Sequence, residues 1–193
     1  MADPNPTPFL TDIKELQRRA REHVEKGAVT PAYRGNLELA IKVLNEALAT
    51  EIVCTLRYRR HHFMAAGIHY QAVADEFMEH AREEQEHADR IADRIRQLGG
   101  APDFDPQGLL TRSHSQYAAG GSLLEMIKED LIAERIAIES YTEIIRFFGD
   151  NDPTSRRLME EILAKEEEHA DDMATLLETL DPREPTEPVA MKH

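Results

Sequence analysis

The chain contains EQEHAD at residues 84–89 and EEEHAD at residues 166–171. In both hexapeptides a glutamate precedes a histidine by three residues, so on an α-helix the two side chains share one face. The second hexapeptide lies in an apolar stripe that steps by threes and fours from Leu158 and Ile162 to Met173. Such a stripe marks the side of a helix that faces a core. The hexapeptides therefore predict two helices that carry carboxylate and imidazole groups into the interior.

A matching pair of glutamates and tyrosines precedes the hexapeptides. Glu51 is followed by Tyr58 after 7 residues, and Glu134 is followed by Tyr141 after 7 residues. Each of these glutamates also lies 33 or 32 residues before the first glutamate of its hexapeptide. The shared spacing predicts two similar helical hairpins, related by an approximate twofold axis, that bring all of these groups into one core.

Four buried carboxylates without partners would cost many kcal/mol, or would be driven to protonate, unless cations neutralise them. One Glu-x-x-His by itself is a weak signal, but two at matched spacing favour a two-metal site. The alternative is that the helical register is different, so that these side chains lie on solvated acidic faces of a bundle. The predicted metal ligands are Glu51, Glu84, His87, Glu134, Glu166 and His169.

Composition indicates one all-α domain. Of the 193 residues, 31% are charged and 41% hydrophobic, and Trp is absent, as is typical of long amphipathic helices. The net charge of -14 disfavours nucleic acid and anionic membranes and suits a protein that collects cations. No stretch approaches the ~18 apolar residues of a membrane span. The single cysteine and the absence of a signal-like N-terminus predict a cytoplasmic location.

Capping residues, glycine and proline predict four long helices at about 36–65, 69–98, 122–149 and 152–181, with Ser122 and Asp152 as the caps of the last two. The first and last pairs of long helices are separated by short turns, which predicts antiparallel hairpins, whereas residues 99–121 are long enough to run back along the bundle. The second and third long helices should therefore be parallel. The predicted units are an N-terminal extension at 1–35 with a short helix from Asp12 to Gly27, a four-helix bundle at 36–180, and a flexible, disordered tail at 181–193.

These motifs resemble the ferritin-like superfamily, and bacterioferritins most closely, across roughly residues 36–180. A glutamate from each of two helices and Glu-x-x-His from each of the other two is the mark of its di-iron members. The resemblance implies a di-iron centre whose bridging ligands are Glu84 and Glu166, with Glu51 and His87 completing one ion and Glu134 and His169 the other.

The resemblance also assigns residues around the metals. Tyr58 and Tyr141 look like the tyrosines that flank such sites and are the candidate catalytic residues; they are also interpretable as core aromatics whose hydroxyls find a carboxylate. Asp130 is the expected acceptor for a ligand histidine. Three other residues near the stripes are interpreted as structural, the histidines as hydrogen-bonded core or rim residues: Cys54, His62 and His80.

This chain departs from the bacterioferritin pattern in three ways. Gln85 occupies the position of the methionine that would bind haem between subunits, so no haem is expected. The tail shows no amphipathic fifth helix of the kind that lines the channels of 24-subunit shells. The N-terminal extension and longer crossover look more like dodecameric mini-ferritins, although their frequent cysteine pair is missing. A homo-oligomeric shell is expected, as a dodecamer or a 24-mer.

The resemblance implies a ferroxidase that binds two Fe(II) ions, passes their electrons to O2 or H2O2, and stores Fe(III) as mineral. One alternative is a non-storage di-metal enzyme, either a rubrerythrin-like peroxidase or a manganese catalase, and the chain lacks the Cys-x-x-Cys of a rubredoxin relay. A DNA-protecting mini-ferritin is a second alternative, which the net charge disfavours. The third is an interaction bundle without metal.

Overall fold

The computed structural model describes residues 11–65 and 70–180, and all regular structure in these ranges is helical. The elements are α1 (Ile13–Arg19), a 3-10 turn (Val24–Lys26), α2 (Leu37–Met64), α3 (Gln71–Gln97), α4 (Leu109–Arg112), α5 (Leu123–Phe148) and α6 (Pro153–Leu180). The predicted all-α fold of four long helices is confirmed. None of the described helices is both long and apolar enough to cross a lipid bilayer.

Side-chain caps fix where the last two long helices begin. Ser122 accepts a hydrogen bond from Glu125 N, and the Glu125 carboxylate accepts one from Gly121 N at 2.8 Å. Asp152 accepts from Ser155 N at 2.9 Å, ahead of the proline in the first turn of α6. These bonds satisfy amide groups that a helix start leaves without an intrahelical acceptor. The capping residues predicted from the sequence are therefore the ones that start α5 and α6.

The crossover between α3 and α5 follows α2 along its length. Near the start of α2, Asn45 Oδ1 accepts a hydrogen bond from Asp103 N at 2.8 Å. Near its end, His61 Nε2 lies 3.2 Å from the carbonyl oxygen of Ala119. The chain thus returns from the end of α3 to the level where α3 began, before α5 starts. The predicted parallel arrangement of α3 and α5 is confirmed.

The N-terminal extension differs from its prediction. Asp12 caps α1 as expected, but the helix ends at Arg19 and does not continue to Gly27. His23 adopts a left-handed conformation with φ of 53°, which breaks the helical path before the 3-10 turn. Residues 66–69, where two helix boundaries were predicted, and the predicted tail at 181–193 lie outside the described residues.

Two apolar layers enclose the middle of the bundle. One layer packs toward the start of α2, and its largest members include Leu44, Leu48, Ile91, Ile95, Phe148 and Ile162. The other packs toward the end of α2 and includes Tyr58, Phe77, Ile127 and Met173. Along every long helix, the predicted ligand positions fall between these two layers. Polar side chains at that level are shielded from water on both sides.

Candidate metal centre

All six predicted ligands meet in the middle of the bundle. One comes from α2, two from α3, one from α5 and two from α6, and each is at most 3% exposed. We call this set the carboxylate-histidine centre: Glu51, Glu84, His87, Glu134, Glu166 and His169. The helical positions bring these groups together because each replaces an apolar residue in the inward stripe of its helix.

The centre consists of two overlapping groups of potential ligand atoms. In one group, His87 Nδ1 lies 3.0 Å from Glu166 Oε1 and 3.3 Å from Glu51 Oε2. In the other, His169 Nδ1 lies 3.6 Å from Glu84 Oε1 and 3.7 Å from Glu166 Oε2. Within each group, one atom from every member lies within 4.8 Å of the others. The two groups share their members Glu84 and Glu166, and each has its own histidine and its own third glutamate.

Every member of the centre has a buried polar atom without a hydrogen-bond partner among the described residues. The atoms are Glu51 Oε2, Glu84 Oε1, His87 Nδ1, Glu134 Oε2, Glu166 Oε1 and His169 Nδ1. Buried polar atoms are rarely left in this state, because each costs about 1–3 kcal/mol. Carboxylate oxygens with imidazole nitrogens are a donor set that suits divalent iron or manganese. The residues present therefore fit a pair of metal ions.

Crowding in the centre shifts the pKa values of its glutamates in opposite directions. Burial, with the neighbouring charges of Glu84 and Glu166, raises the pKa of Glu51 and of Glu134 well above the ordinary value. Burial also acts to raise the pKa of Glu84, but the neighbouring Glu51 carboxyl and the two histidines outweigh it and hold that pKa well below the ordinary value. Protonated and ionised carboxyls thus sit side by side in the centre.

The same crowding raises the pKa values of the two histidines. Burial alone would lower their pKa values, but the adjoining carboxylates outweigh it. The pKa of His169 rises to about 12, chiefly through Glu166 and Glu84, and that of His87 also rises far above the ordinary value. Metal binding would have to displace these protons, since imidazole ligates in its neutral form.

The two tyrosines hydrogen-bond to Glu51 and Glu134, each of which is the one member of the centre on its helix. Tyr58 of α2 donates to Glu134 Oε1 of α5 at 2.6 Å, and Tyr141 of α5 donates to Glu51 Oε1 of α2. Both rings are buried, and burial with the nearby carboxylates raises the pKa of each hydroxyl well above its ordinary value. The tyrosines therefore act as hydrogen-bond donors in this arrangement.

Asp130 does not accept from a ligand histidine, so that prediction was wrong. Its Oδ1 lies 2.7 Å from Arg57 Nε and its Oδ2 lies 2.7 Å from His61 Nδ1. Arg57 is fully buried and also donates to Ser115 Oγ and to the carbonyl oxygen of Gln116 in the crossover. Asp130 faces α2 and the crossover, away from His87 and His169 on the opposite helices. Asp130 therefore fixes Arg57, which in turn fastens the crossover to the bundle.

Glu83, which was not predicted from the sequence, is the partner of the predicted ligand His169. His169 Nε2 lies 2.7 Å from Glu83 Oε2, and Lys165 Nζ lies 3.3 Å from the other oxygen of the same carboxylate. A hydrogen bond at Nε2 leaves Nδ1 of His169 as the atom that faces the centre. The adjacent pair Glu83-Glu84 was the available signal: Glu84 faces the centre, and Glu83 faces α6, where it meets His169 and Lys165.

The residues interpreted as structural have different environments. Cys54 is buried, and its Sγ accepts a long contact of 3.6 Å from Arg57 Nη2. His62 is hydrogen-bonded as predicted, with Nδ1 2.7 Å from the carbonyl oxygen of Ala74. His80 is buried, but no hydrogen bond to its ring is found among the described residues. The prediction of a hydrogen-bonded His80 was therefore wrong.

Comparisons with known proteins agree with this architecture. Residues 41–182 match the family model of the ferritin-like domain. A bacterioferritin of Mycobacterium bovis is 31% identical over 142 residues, which cover 73% of this chain and 85% of that protein. The bacterioferritin-related protein of Bacteroides fragilis, a dodecameric thioferritin, superposes with a TM-score of 0.74 at 32% identity and covers 78% of this chain and 90% of that one. The Desulfovibrio desulfuricans bacterioferritin, solved with its diiron site in different catalytic states, has a TM-score of 0.68 at 25% identity over 77% of this chain and 85% of its own.

Proposed function

Because the chain belongs to the ferritin-like domain family, we propose that it is an iron-storage protein that oxidises Fe(II) at the carboxylate-histidine centre. The observation that carries the proposal is the set of six buried ligand atoms without hydrogen-bond partners, divided into two overlapping groups. An apolar bundle of this size has no structural need for four buried glutamates. Two divalent ions would compensate both their charge and their missing partners.

The Fe(II) ions are the substrate, and each supplies one electron to O2 or H2O2. The protein binds and orients the two ions. Glu84 and Glu166 belong to both ligand groups and are proposed to hold both ions, while His87 and His169 hold one each. Four carboxylates favour the higher charge of Fe(III) over Fe(II). One histidine per ion leaves coordination positions open to the oxidant.

Tyr58 and Tyr141 are proposed to position the centre and to act in catalysis beside it. Each hydroxyl donates to one oxygen of Glu134 or Glu51, so that the other oxygen of the same carboxylate can face the ions. Both hydroxyls are buried beside the centre, so each tyrosine is also placed to give an electron to the bound O2 or H2O2 while its proton passes to the carboxylate to which it already donates.

Substitution of a bridging ligand tests the proposal. Glu84→Ala should abolish the rapid phase of Fe(II) oxidation, measured by the absorbance of the ferric product and by oxidant consumption. Glu86→Ala is the matched control, because Glu86 lies two residues away on α3 and is exposed. Helix content by circular dichroism should stay near that of the wild type in both variants. Rapid oxidation by Glu84→Ala at the wild-type rate would refute the site.

We further propose that the chain assembles into a closed dodecameric shell. Support comes from the Bacteroides fragilis relative, which is described as dodecameric and of which this chain covers 90%. Sedimentation of the iron-loaded protein should give a protein mass of about twelve times the 22.0 kDa chain. A 24-subunit particle would contradict the dodecamer, and a monomer or dimer would contradict a shell of any kind.

A further inference from the structure

A second polar cluster lies one helical turn from the carboxylate-histidine centre and shares no residue with it. His80 precedes Glu84 by four residues on α3, and Asp172 follows His169 by three on α6. His80 Nε2 lies 3.4 Å from Glu76 Oε1 and 3.5 Å from Asp172 Oδ2. One ligand atom from each of these three side chains lies within 4.8 Å of the other two.

His80 is the unusual member of this cluster. Its side chain is 2% exposed, and Nδ1 has no hydrogen-bond partner among the described residues, while Nε2 lies 3.4 and 3.5 Å from the two carboxylates. The ring cannot readily turn to find one, because it stacks on His169 with centroids 4.0 Å apart and meets the ring of Tyr58 edge-on at 5.2 Å. Leaving such a group unsatisfied costs about 1–3 kcal/mol. The fixed ring instead presents Nε2 to two carboxylates.

The two carboxylates of this cluster differ from Glu83 in their ion pairing. In the described part of the chain, no lysine or arginine forms an ion pair with either Glu76 or Asp172. This contrasts with Glu83 nearby, whose carboxylate is already engaged by Lys165 and His169. Two like charges held together across the α3–α6 seam repel each other unless a positive ion lies between them.

We propose that Glu76, His80 and Asp172 form a third metal site, which binds a divalent transition-metal ion. One imidazole nitrogen and two carboxylate oxygens suit Fe(II), Co(II) or Zn(II) better than Mg(II) or Ca(II), which prefer all-oxygen sites. Glu76 and Asp172 have side chains 37% and 43% exposed, so water can complete the coordination. The site rests on this geometry and does not require that the buried centre oxidise iron.

Co(II) is a suitable probe because it does not undergo the proposed oxidation. Calorimetric titration of the full-length protein should give three Co(II) ions per chain, and millimolar Mg(II) should not displace the third. His80→Ala and Asp172→Asn should each reduce the number to two. The matched controls are Glu79→Gln and Asp171→Asn, exposed carboxylates on the same two helices, and both should keep three. Three ions in either cluster variant would overturn the proposal.

A ligand variant of the buried centre separates this proposal from the proposed function. Glu84→Ala should lose ions from the buried centre and keep one that depends on His80. If the wild type binds two ions and both depend on Glu84, the third site is refuted and the buried centre stands. Anomalous diffraction from Co(II)-soaked crystals gives a direct readout that does not depend on the folding of any variant. A peak at about 2.1 Å from His80 Nε2 is expected, and its absence from fully loaded crystals would refute the site.

Discussion

Tyr58 on α2 donates a 2.6 Å hydrogen bond to Glu134 on α5, and so joins the two halves of the bundle directly at the carboxylate-histidine centre. The reverse bond, from Tyr141 on α5 to Glu51 on α2, makes the bracing reciprocal. The α2–α3 hairpin thus donates a hydrogen bond to Glu134, and the α5–α6 hairpin donates one to Glu51. Glu84 and Glu166 need no such bond, because each has a histidine one turn away on its own helix.

Removal of one brace should weaken metal binding. In Tyr58→Phe, Glu134 Oε1 loses its donor and the carboxylate can rotate away from the ions. Loss of an outer hydrogen-bond partner of this kind typically costs 10–100-fold in metal affinity or activity, and we expect about that effect on Co(II) affinity and on the Fe(II) oxidation rate. Tyr117→Phe, an exposed tyrosine in the crossover, is the control. Wild-type affinity in Tyr58→Phe would show that the bond does not position Glu134.

The sequence was sufficient to predict which side chains converge. Helical periodicity determines the face on which a residue lies, and matched spacing in the two halves then places Glu51 and Glu134 at the same level. The parallel α3 and α5 followed from the length of the crossover. These features depend on local geometry and chain length, both of which can be read from one sequence.

Features that depend on what lies opposite a residue could not be predicted. Asp130 lies one turn before Glu134, so its inward position was foreseeable, but its partner depends on how α5 rotates against α2. Arg57 has the sequence character of a surface residue, and it is buried only because the crossover covers it. The pairing of His169 with Glu83 and the stacking of His80 likewise depend on the packing of α3 against α6.

The buried ion pair of Arg57 and Asp130 should be important for stability. Arg57→Met leaves Asp130 as a buried carboxylate with only His61 beside it, and breaking a buried pair in this way costs about 3–5 kcal/mol. Arg59→Met is the control, because Arg59 is adjacent and exposed. The free energy of unfolding in denaturant, measured at equal metal loading and assembly state, gives the comparison. Equal stability of the two variants would mean that the pair contributes nothing.

Haem should not bind at the position that resembles the bacterioferritin haem site. Gln85 has no thioether, and its exposed amide donates to Asp89 Oδ1 on the same helix at 3.0 Å. Reconstitution with haem should therefore give no absorption spectrum typical of iron with two sulfur ligands. Stoichiometric haem with such a spectrum, measured after removal of unbound haem by gel filtration, would contradict this prediction.

Metal-free protein should become less stable as the pH rises from about 5 to 8. Folding raises the pKa of Glu51 and Glu134 above the ordinary value of 4.5, so the folded state keeps protons that the unfolded chain releases. Stability then falls with pH by up to about 1.4 kcal/mol per unit for each such group. His87 and His169, with pKa values raised above 6.5, add to the fall above that pH. Below 4.5 the trend reverses, because the lowered pKa of Glu84 makes its contribution disappear in acid.

Metal-loaded protein should respond in the opposite direction. Ions that bind only the folded centre stabilise it by RT ln(1 + [L]/Kd), about 2.7 kcal/mol at a hundredfold excess over Kd for one site. Protons compete for the same ligands, so this gain shrinks as the pH falls. Thermal melts of chelator-treated and Co(II)-loaded protein at pH 5.5 and 7.5 should therefore show acid raising the first midpoint and lowering the second, with the assembly state checked by sedimentation at both pH values. Glu134→Gln removes one of the titrating groups and should flatten the response of the metal-free form. Parallel shifts of the two forms, or melts indifferent to metal, would mean that these glutamates do not share a buried metal centre.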